Sequence, residues 1–468
     1  MNAYINTLAA VVLIGLGGCK VAKDTQLPKA VLPENFRNAQ HTDSKDIGSQ
    51  SIADFLTEKE VRDLVDTALA RNFDLQIALK NIESAGLLLK QSKFGNVPQL
   101  NLQITGNSNR PSDNSLNGLS TSQFLKTNHV EDFNANLGLT WEADIWGKIK
   151  NQQQAALATY LQTEEARKAI QTRLVASVAQ GYYSLLMMDA QMGIAKKNLA
   201  LSDSTLKIVQ LQFDAGQVTS LAVQQAKAQQ LVATQLIPRL QQDITIQENA
   251  LSLLTGRLPG LINRSISLDK ARVPEQVSAG YPSAVISRRP DVKSAELSLN
   301  IANAKVGVAK ASLYPSLSIT ASAGLNSFKA SNWFNIPASL FGMVAGGITQ
   351  PLVQKRALRT QYELAKTERE KSVIQFRQTV LTAVNEVSDE LVKIEKLQQQ
   401  YDASRDKVNT LQQAVKNANF LFASGMASYL EVITAQSNSL QSELELTTIK
   451  TAQLNATVEL YRALGGGL

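Results

Sequence analysis

Residues Phe422–Ala435 read FASGMASYLEVITA, and a related stretch, FDAGQVTSLAVQQA, stands earlier at Phe213–Ala226. Phe213, Gly216, Val223 and Ala226 recur as Phe422, Gly425, Val432 and Ala435, and Gly256 recurs in the same register as Gly465. Each copy carries a long helical pattern in, a Gly break, a short turn and a long helical pattern out. A fixed offset of about two hundred residues marks a duplicated domain rather than a short solenoid repeat. Gly216 and Gly425 are expected to end the incoming helices in the left-handed conformation that glycine tolerates best.

The segments Gly147–Phe213 and Lys355–Phe422 contain no Pro, and the second contains no Gly either. At 1.5 Å per residue such helices would run on the order of 100 Å, too long for one globular core. The second return helix carries a 3-4 seam of Leu430, Ile433, Ser437, Leu440, Leu444, Thr447, Thr451, Leu454, Val458 and Tyr461. A sustained heptad predicts coiled-coil packing, and the Ser and Thr within it predict a loose or partly wet seam. Pro238 is expected to bend the first return helix.

Ahead of each long helix the period changes to two. Leu100, Leu102 and Ile104 alternate with Gln99, Asn101, Gln103 and Thr105, and Phe133, Ala135, Leu137, Leu139 and Trp141 alternate with Asn134, Asn136, Thr140 and Glu142. An exposed polar loop over residues 106–131 separates them. In the second copy, Leu317, Ile319, Ala321 and Ala323 alternate with Ser and Thr, and another apolar strand lies near Leu340–Thr349. Any half-buried strand can have one apolar and one polar face. Here the polar faces are small and uncharged, and a lone hairpin is not stable in water. The hairpins must pair with each other or with other subunits. A closed barrel with lipid outside and water inside accommodates them. Four strands are too few to close one, and three chains would supply about twelve.

Residues 1–18 read as a secretory signal whose Leu16-Gly17-Gly18 precedes Cys19, and 19–56 as a polar tether. The first repeat spans 57–256. It begins with a helix from Thr57 to about Lys93, in which Thr57 and Glu60 are expected to form a capping box. Then come a hairpin at about 98–146, a long helix at 147–213, a tip at 214–221 and a return helix at 222–256. A linker covers 257–282. The second repeat, 283–468, has a helix at about 283–312, a hairpin at about 315–350, a long helix at 355–422, a tip at 423–429 and a return helix at 430–464. Arg288-Arg289-Pro290-Asp291 reads as a cap for a helix starting near Asp291. Trp141 and Trp146 suit a membrane-interface belt or simple packing.

Composition excludes other classes. The 468 residues contain two His and one Cys, too few for a multi-His or multi-Cys metal cluster or a disulfide framework. The net charge of +7 is spread along the chain without the Lys/Arg run that a nucleic-acid surface needs. No phosphate-binding loop or Ser/His/Asp set stands in a motif context. No cofactor, catalytic site or metal site is expected.

Several blocks resemble TolC-like outer-membrane efflux channels, in particular the NodT/OprM-type lipoproteins. They are the lipobox at Cys19, WEADIWGK (141–148), IPRLQQDITIQENALSLLTG (237–256), RRPDVKSAELSLNIANAKVGVAKASLYPSLSIT (288–320), SYLEVITAQ (428–436) and LYRALGGG (460–467). The resemblance covers essentially the whole mature chain. It implies a mainly α fold with a membrane β-barrel portion, duplicated, in which three protomers form a 12-strand barrel continued by a long α-helical periplasmic barrel. It also implies a lipid-anchored homotrimer in the outer membrane of a Gram-negative bacterium. That trimer would be a passive exit duct docked to a periplasmic adaptor and an inner-membrane pump of RND type, with outer-membrane lipid as a further partner. The exit duct of a type I protein secretion system and a periplasmic coiled-coil scaffold without a pore are the rival readings.

The resemblance assigns the paired turns to the periplasmic tips. Members commonly carry an acid where Glu431 stands and often a second where Thr434 stands, while some carry Asp where Ala222 stands. The gate residues so implied are Glu431, Thr434, Ala222 and Gln225, with Gly216, Gly425, Ser428, Tyr429 and Leu430 contacting the adaptor. Like charges converging on a constriction attract cations and repel one another. Glu431 would also suit a helix N-terminus through the helix dipole.

Overall fold

The computed structural model describes residues 33–37, 46–272 and 278–468. Cys19, with the signal and lipobox expectations, lies outside the described residues. The chain divides into two compact units. One gathers Ser84–Leu161 and Leu297–Ile374. The other gathers the described residues up to Glu83, with Gln162–Glu296 and Gln375–Leu468.

In the first unit, β1 (Gln99–Asn109), β2 (Val130–Ala143), β3 (Ser316–Ser327) and β4 (Leu340–Thr349) form one antiparallel sheet in the order β1-β2-β3-β4. The two hairpins pair with each other through β2 and β3. The register aligns like with like across β1, β2 and β3, whereas β4 carries apolar residues on both faces. Leu100, Leu139, Ala321 and Val344 form one row, and Leu102, Leu137, Ala323 and Gly342 the next. On the opposite face Gln99, Thr140, Thr320 and Ala345 are in line, as are Asn101, Gly138, Ser322 and Met343. A one-residue slip would exchange the faces, so the alternation read in single strands also sets the pairing. The apolar face is open: Leu102 is 67% exposed and Val344 80%. Among the described residues neither β1 nor β4 has a partner on its outer edge.

Strand β1 continues to Asn109, beyond the alternation that ends at Thr105, and the following loop holds a short helix at Leu116–Ser120. Trp141 donates its indole N–H to the Asn96 carbonyl at 2.9 Å. Trp146 donates to the Pro315 carbonyl at 2.7 Å and stacks on Tyr314.

In the second unit the helix expected from Thr57 to Lys93 is two helices, α1 (Lys59–Arg71) and α2 (Phe73–Lys93), the latter passing into the first unit. Asn72 causes the break. Its Oδ1 accepts the backbone N–H groups of Asp74 and Leu75, and its Nδ2 donates to the Leu254 carbonyl. The Thr57–Glu60 capping box does not form. The N-cap is Glu58, without a side-chain cap bond, and the Glu60 carboxylate is taken by the Ser265 hydroxyl.

The long helices are α3 (Lys148–Asp214) and α7 (Ala357–Ala423), and the return helices are α4 (Ser220–Leu254) and α8 (Tyr429–Ala463). Helix α4 runs unbroken through Pro238. The main core packs Val61, Val65 and Ala68 of α1 against Val178, Tyr182 and Leu185 of α3, Leu251 of α4, and Leu454 and Val458 of α8.

The single helix expected at about 283–312 is interrupted by Pro290, giving α5 (Pro282–Arg288) and α6 (Pro290–Ala311). Pro290 opens α6, but the two arginines before it serve another helix. Arg288 donates to the Leu464 carbonyl and pairs with Asp46. Arg289, 3% exposed, donates to the Ala463 carbonyl and pairs with Asp291 at 2.7 Å and Glu386 at 2.8 Å. They cap the C-terminus of α8, where orphan carbonyls and the dipole favour cations.

Candidate functional site: the paired helical tips

Both turns of the duplicated motif belong to the second unit, and both are built on the same backbone device. Gly216 has φ +74° and Gly425 φ +72°. Gly216 donates its N–H to Phe213 and Gln217 to Gln212, while Gly425 donates to Phe422 and Met426 to Leu421. These are Schellman caps, and they satisfy carbonyls the helix ends would leave open. The return helices end alike: Gly256 (φ +63°) donates to Leu253 and Arg257 to Ser252, and Gly465 (φ +81°) donates to Arg462 and Gly466 to Tyr461. The duplication therefore holds bond by bond in the backbone.

The side chains do not obey it. Val209, Ala222, Ala226, Phe422 and Val432 form a small buried core that joins the two tips. Phe422 is 5% exposed, whereas its counterpart Phe213 is 39% exposed. Ala222 is fully buried, whereas its counterpart Glu431 is exposed. The two turns pack on each other through different faces, so equal positions in the repeat have unequal surroundings. Sequence reasoning took Phe213 and Phe422 as equivalents and did not identify the Val209–Phe422–Val432 core; the recurrence of Val223 as Val432 was its only trace.

The predicted site residues fall as follows. The Glu431 carboxylate accepts the backbone N–H of Ser428, its own N-cap residue, at 2.7 Å. The first copy has Thr219 as N-cap and Ala222 three residues on, so it has no acid to do the same. Tyr429 donates its hydroxyl to Oε1 of Gln225 at 2.7 Å, linking one candidate adaptor contact to one candidate gate residue. Thr434 is exposed. Leu430 is 54% exposed, and Met426, which sequence reasoning did not single out, is 68% exposed.

Away from the turn, α8 meets α3 along a polar seam. Gln436 donates to Thr205 at 3.0 Å, Gln191 to Thr447 at 3.2 Å, and Gln180 to Glu459 at 2.7 Å. Near the turn the buried line of α8 is Val432, Gln436, Ser439 and Ser442, while Leu430 and Ser437 of the expected heptad are exposed. Ser437, Leu440 and Leu444 instead line an open groove of about 410 Å³ with Val232, Leu236 and Arg239 of α4. From Thr451 through Tyr461 the expected heptad positions are buried. A straight helix drifts about 20° per heptad, so one seam does not stay against one neighbour over its length.

The family model described as "Outer membrane efflux protein" matches residues 64–257 and 281–466. The cation efflux system protein CusC of Escherichia coli strain K12 is 29% identical over 471 residues, covering 97% of this chain and 98% of that protein. The solvent efflux pump outer membrane protein SrpC of Pseudomonas putida is 30% identical over 470 residues, 97% of each. Among solved structures, CusC superposes with a TM-score of 0.82 at 27% identity, over 96% of this chain and 100% of that one. The open state of the Neisseria gonorrhoeae MtrE outer membrane channel gives 0.84 at 25% identity, over 96% and 99%. The chain belongs to the outer membrane efflux protein family, a family of channels rather than enzymes, and is a duplicated TolC-like exit duct of a Gram-negative outer membrane.

Proposed function

We propose that the chain works as a homotrimer that supplies a passive conduit, with its tips docked to a periplasmic adaptor and, through it, to an inner-membrane pump of RND type. The observation that carries this is the four-stranded sheet with one exposed apolar face and, among the described residues, two unpaired edges. An open edge is not tolerated in lipid, and three such sheets joined edge to edge give twelve strands, within the range of membrane barrels. The apolar rows would face lipid, and the Asn, Gln, Ser and Thr rows the aqueous lumen.

At the tips, Glu431 would contribute one carboxylate per protomer, hence a ring of three at the constriction. It would keep its local role as an N-terminal acid at the same time. Thr434 and Gln225 would stand beside that ring, and Ala222, being buried, would serve tip packing. The exposed Met426 and Leu430, with Gly216, Gly425, Ser428 and Tyr429, would form the adaptor surface. Cys19 would carry the lipid anchor.

Purified protein reconstituted in planar bilayers tests the reading. Discrete conductance steps and a heat-modifiable trimer on gels are expected. A protein that stays monomeric and conducts nothing would be a scaffold instead.

A further inference from the structure

The turn between β3 and β4 continues the apolar face of the sheet rather than ending it. Trp333 packs against Phe133, with ring centroids 5.4 Å apart, and Phe133 stands on the same face as Ala135, Leu137 and Leu139. Phe334 lies against Trp333 at 5.2 Å. The Trp333 indole N–H is already satisfied by the Leu325 carbonyl at 3.3 Å, so its ring can enter an apolar phase without an orphan donor. Around it Phe328 is 55% exposed, Phe334 71% and Ile336 64%. Lys329 places its ammonium 5.6 Å from the centre of the Phe328 ring.

The opposite end of the same face carries Trp141. Phe133 and Trp141 are eight residues apart on β2, about 27 Å along the strand, and a tilt near 40° shortens this to about 20 Å. The aromatic clusters beyond each end bring the band to the roughly 25 Å of an outer-membrane barrel.

We infer that the loop Phe328–Pro337 is a membrane anchor: Phe334 and Ile336 enter the acyl region, Trp333 sits at its boundary, and Lys329 meets the phosphate of an anionic lipid headgroup. A lysine beside a ring at the interface reaches outward to the headgroups while its stem covers apolar surface. The occupant is lipid because the loop extends a face whose other residues are exposed aliphatics. A neighbouring subunit covering the loop is the competing outcome. The inference rests on the barrel reading, and conductance of the same vesicles reports on that reading separately.

The chain has three tryptophans, so Trp141→Phe with Trp146→Phe leaves Trp333 as the only one. In vesicles, lipid brominated near the headgroup end of the acyl chain should quench its emission at least about twofold more than lipid brominated at the chain terminus. Aqueous iodide should quench it little. If the double variant does not fold, the difference between wild type and Trp333→Phe gives the same reading. Iodide quenching without bromine quenching would overturn the anchor, and quenching by neither would assign the loop to a protein contact. Lys329→Gln should abolish faster insertion into phosphatidylglycerol than into phosphatidylcholine vesicles. An unchanged preference would remove the lysine from the proposal.

Discussion

Tyr429 and Gln225 are 204 residues apart in the chain, and the hydroxyl of one donates to the side-chain oxygen of the other at 2.7 Å. The bond ties the first turn of α8 to the first turns of α4, where the tip core of Phe422, Val432 and Ala222 also joins them. An exposed bond of this kind is worth about 1 kcal/mol, or a factor of about five between two tip arrangements. Tyr429→Phe should therefore raise the open fraction of single-channel records about fivefold while leaving the melting temperature nearly unchanged. Identical gating in the variant would leave the bond without a role in closure.

Glu431 combines two roles that one substitution can separate. Gln at the same position can still accept from the Ser428 N–H, as capping boxes allow, but carries no charge. Glu431→Gln should keep α8 stable to within about 0.5 kcal/mol and weaken block by divalent cations. Glu431→Ala should do both harms. If Glu431→Gln leaves divalent block unchanged, the carboxylate is a cap alone.

Arg289 is a buried cation in the second unit that holds two carboxylates. Burial acts to lower its affinity for a proton, but Asp291 and Glu386 outweigh that and hold it charged. For Asp291, burial acts to raise the carboxyl, yet the bonds and charge of Arg289 and the Val292 N–H together hold it below its ordinary value. A depressed carboxyl contributes stability above the unfolded value, about pH 3.9, and loses it as pH falls through the lower folded value. Asp291→Asn should accordingly reduce stability at neutral pH and flatten the acid limb below about pH 4. Arg289→Met should cost about 1–3 kcal/mol, chiefly because it leaves the Ala463 carbonyl without its donor; Asp291 loses its ion pair but is partly solvated, and Glu386 keeps Arg462 at 3.5 Å. Thermal melts of the detergent-solubilised protein across pH measure both.

The lipid anchor proposed at Cys19 is tested by metabolic labelling with a fatty acid. Cys19→Ser should lose all label and stay uncleaved at the lipobox, while channel formation in bilayers persists. Label retained in the variant would place the modification elsewhere.

Much of the architecture is legible in the sequence. A period of two over four short segments, a helical pattern over two long ones, and the repeated Gly break determined the element order and the duplication. Such features depend on local backbone preference and alternation, which are written along the chain. Gly216, Gly425, Gly256 and Gly465 show this most directly, since each left-handed cap needs only its own few neighbours.

What tertiary structure decided is which residues face which. Asn72 divides a helix that periodicity ran together, because it is held by the distant Leu254 carbonyl, and Arg289 is drawn to Glu386 and the Ala463 carbonyl; the break at Pro290 is local, since proline has no N–H to continue a helix. Ala222 and Glu431 are equivalent in the repeat, yet one is buried and the other exposed, because the two turns pack on each other through different faces. Sequence therefore determined the two tips and their backbone, and packing between distant copies determined that Glu431 is exposed while its counterpart Ala222 is buried.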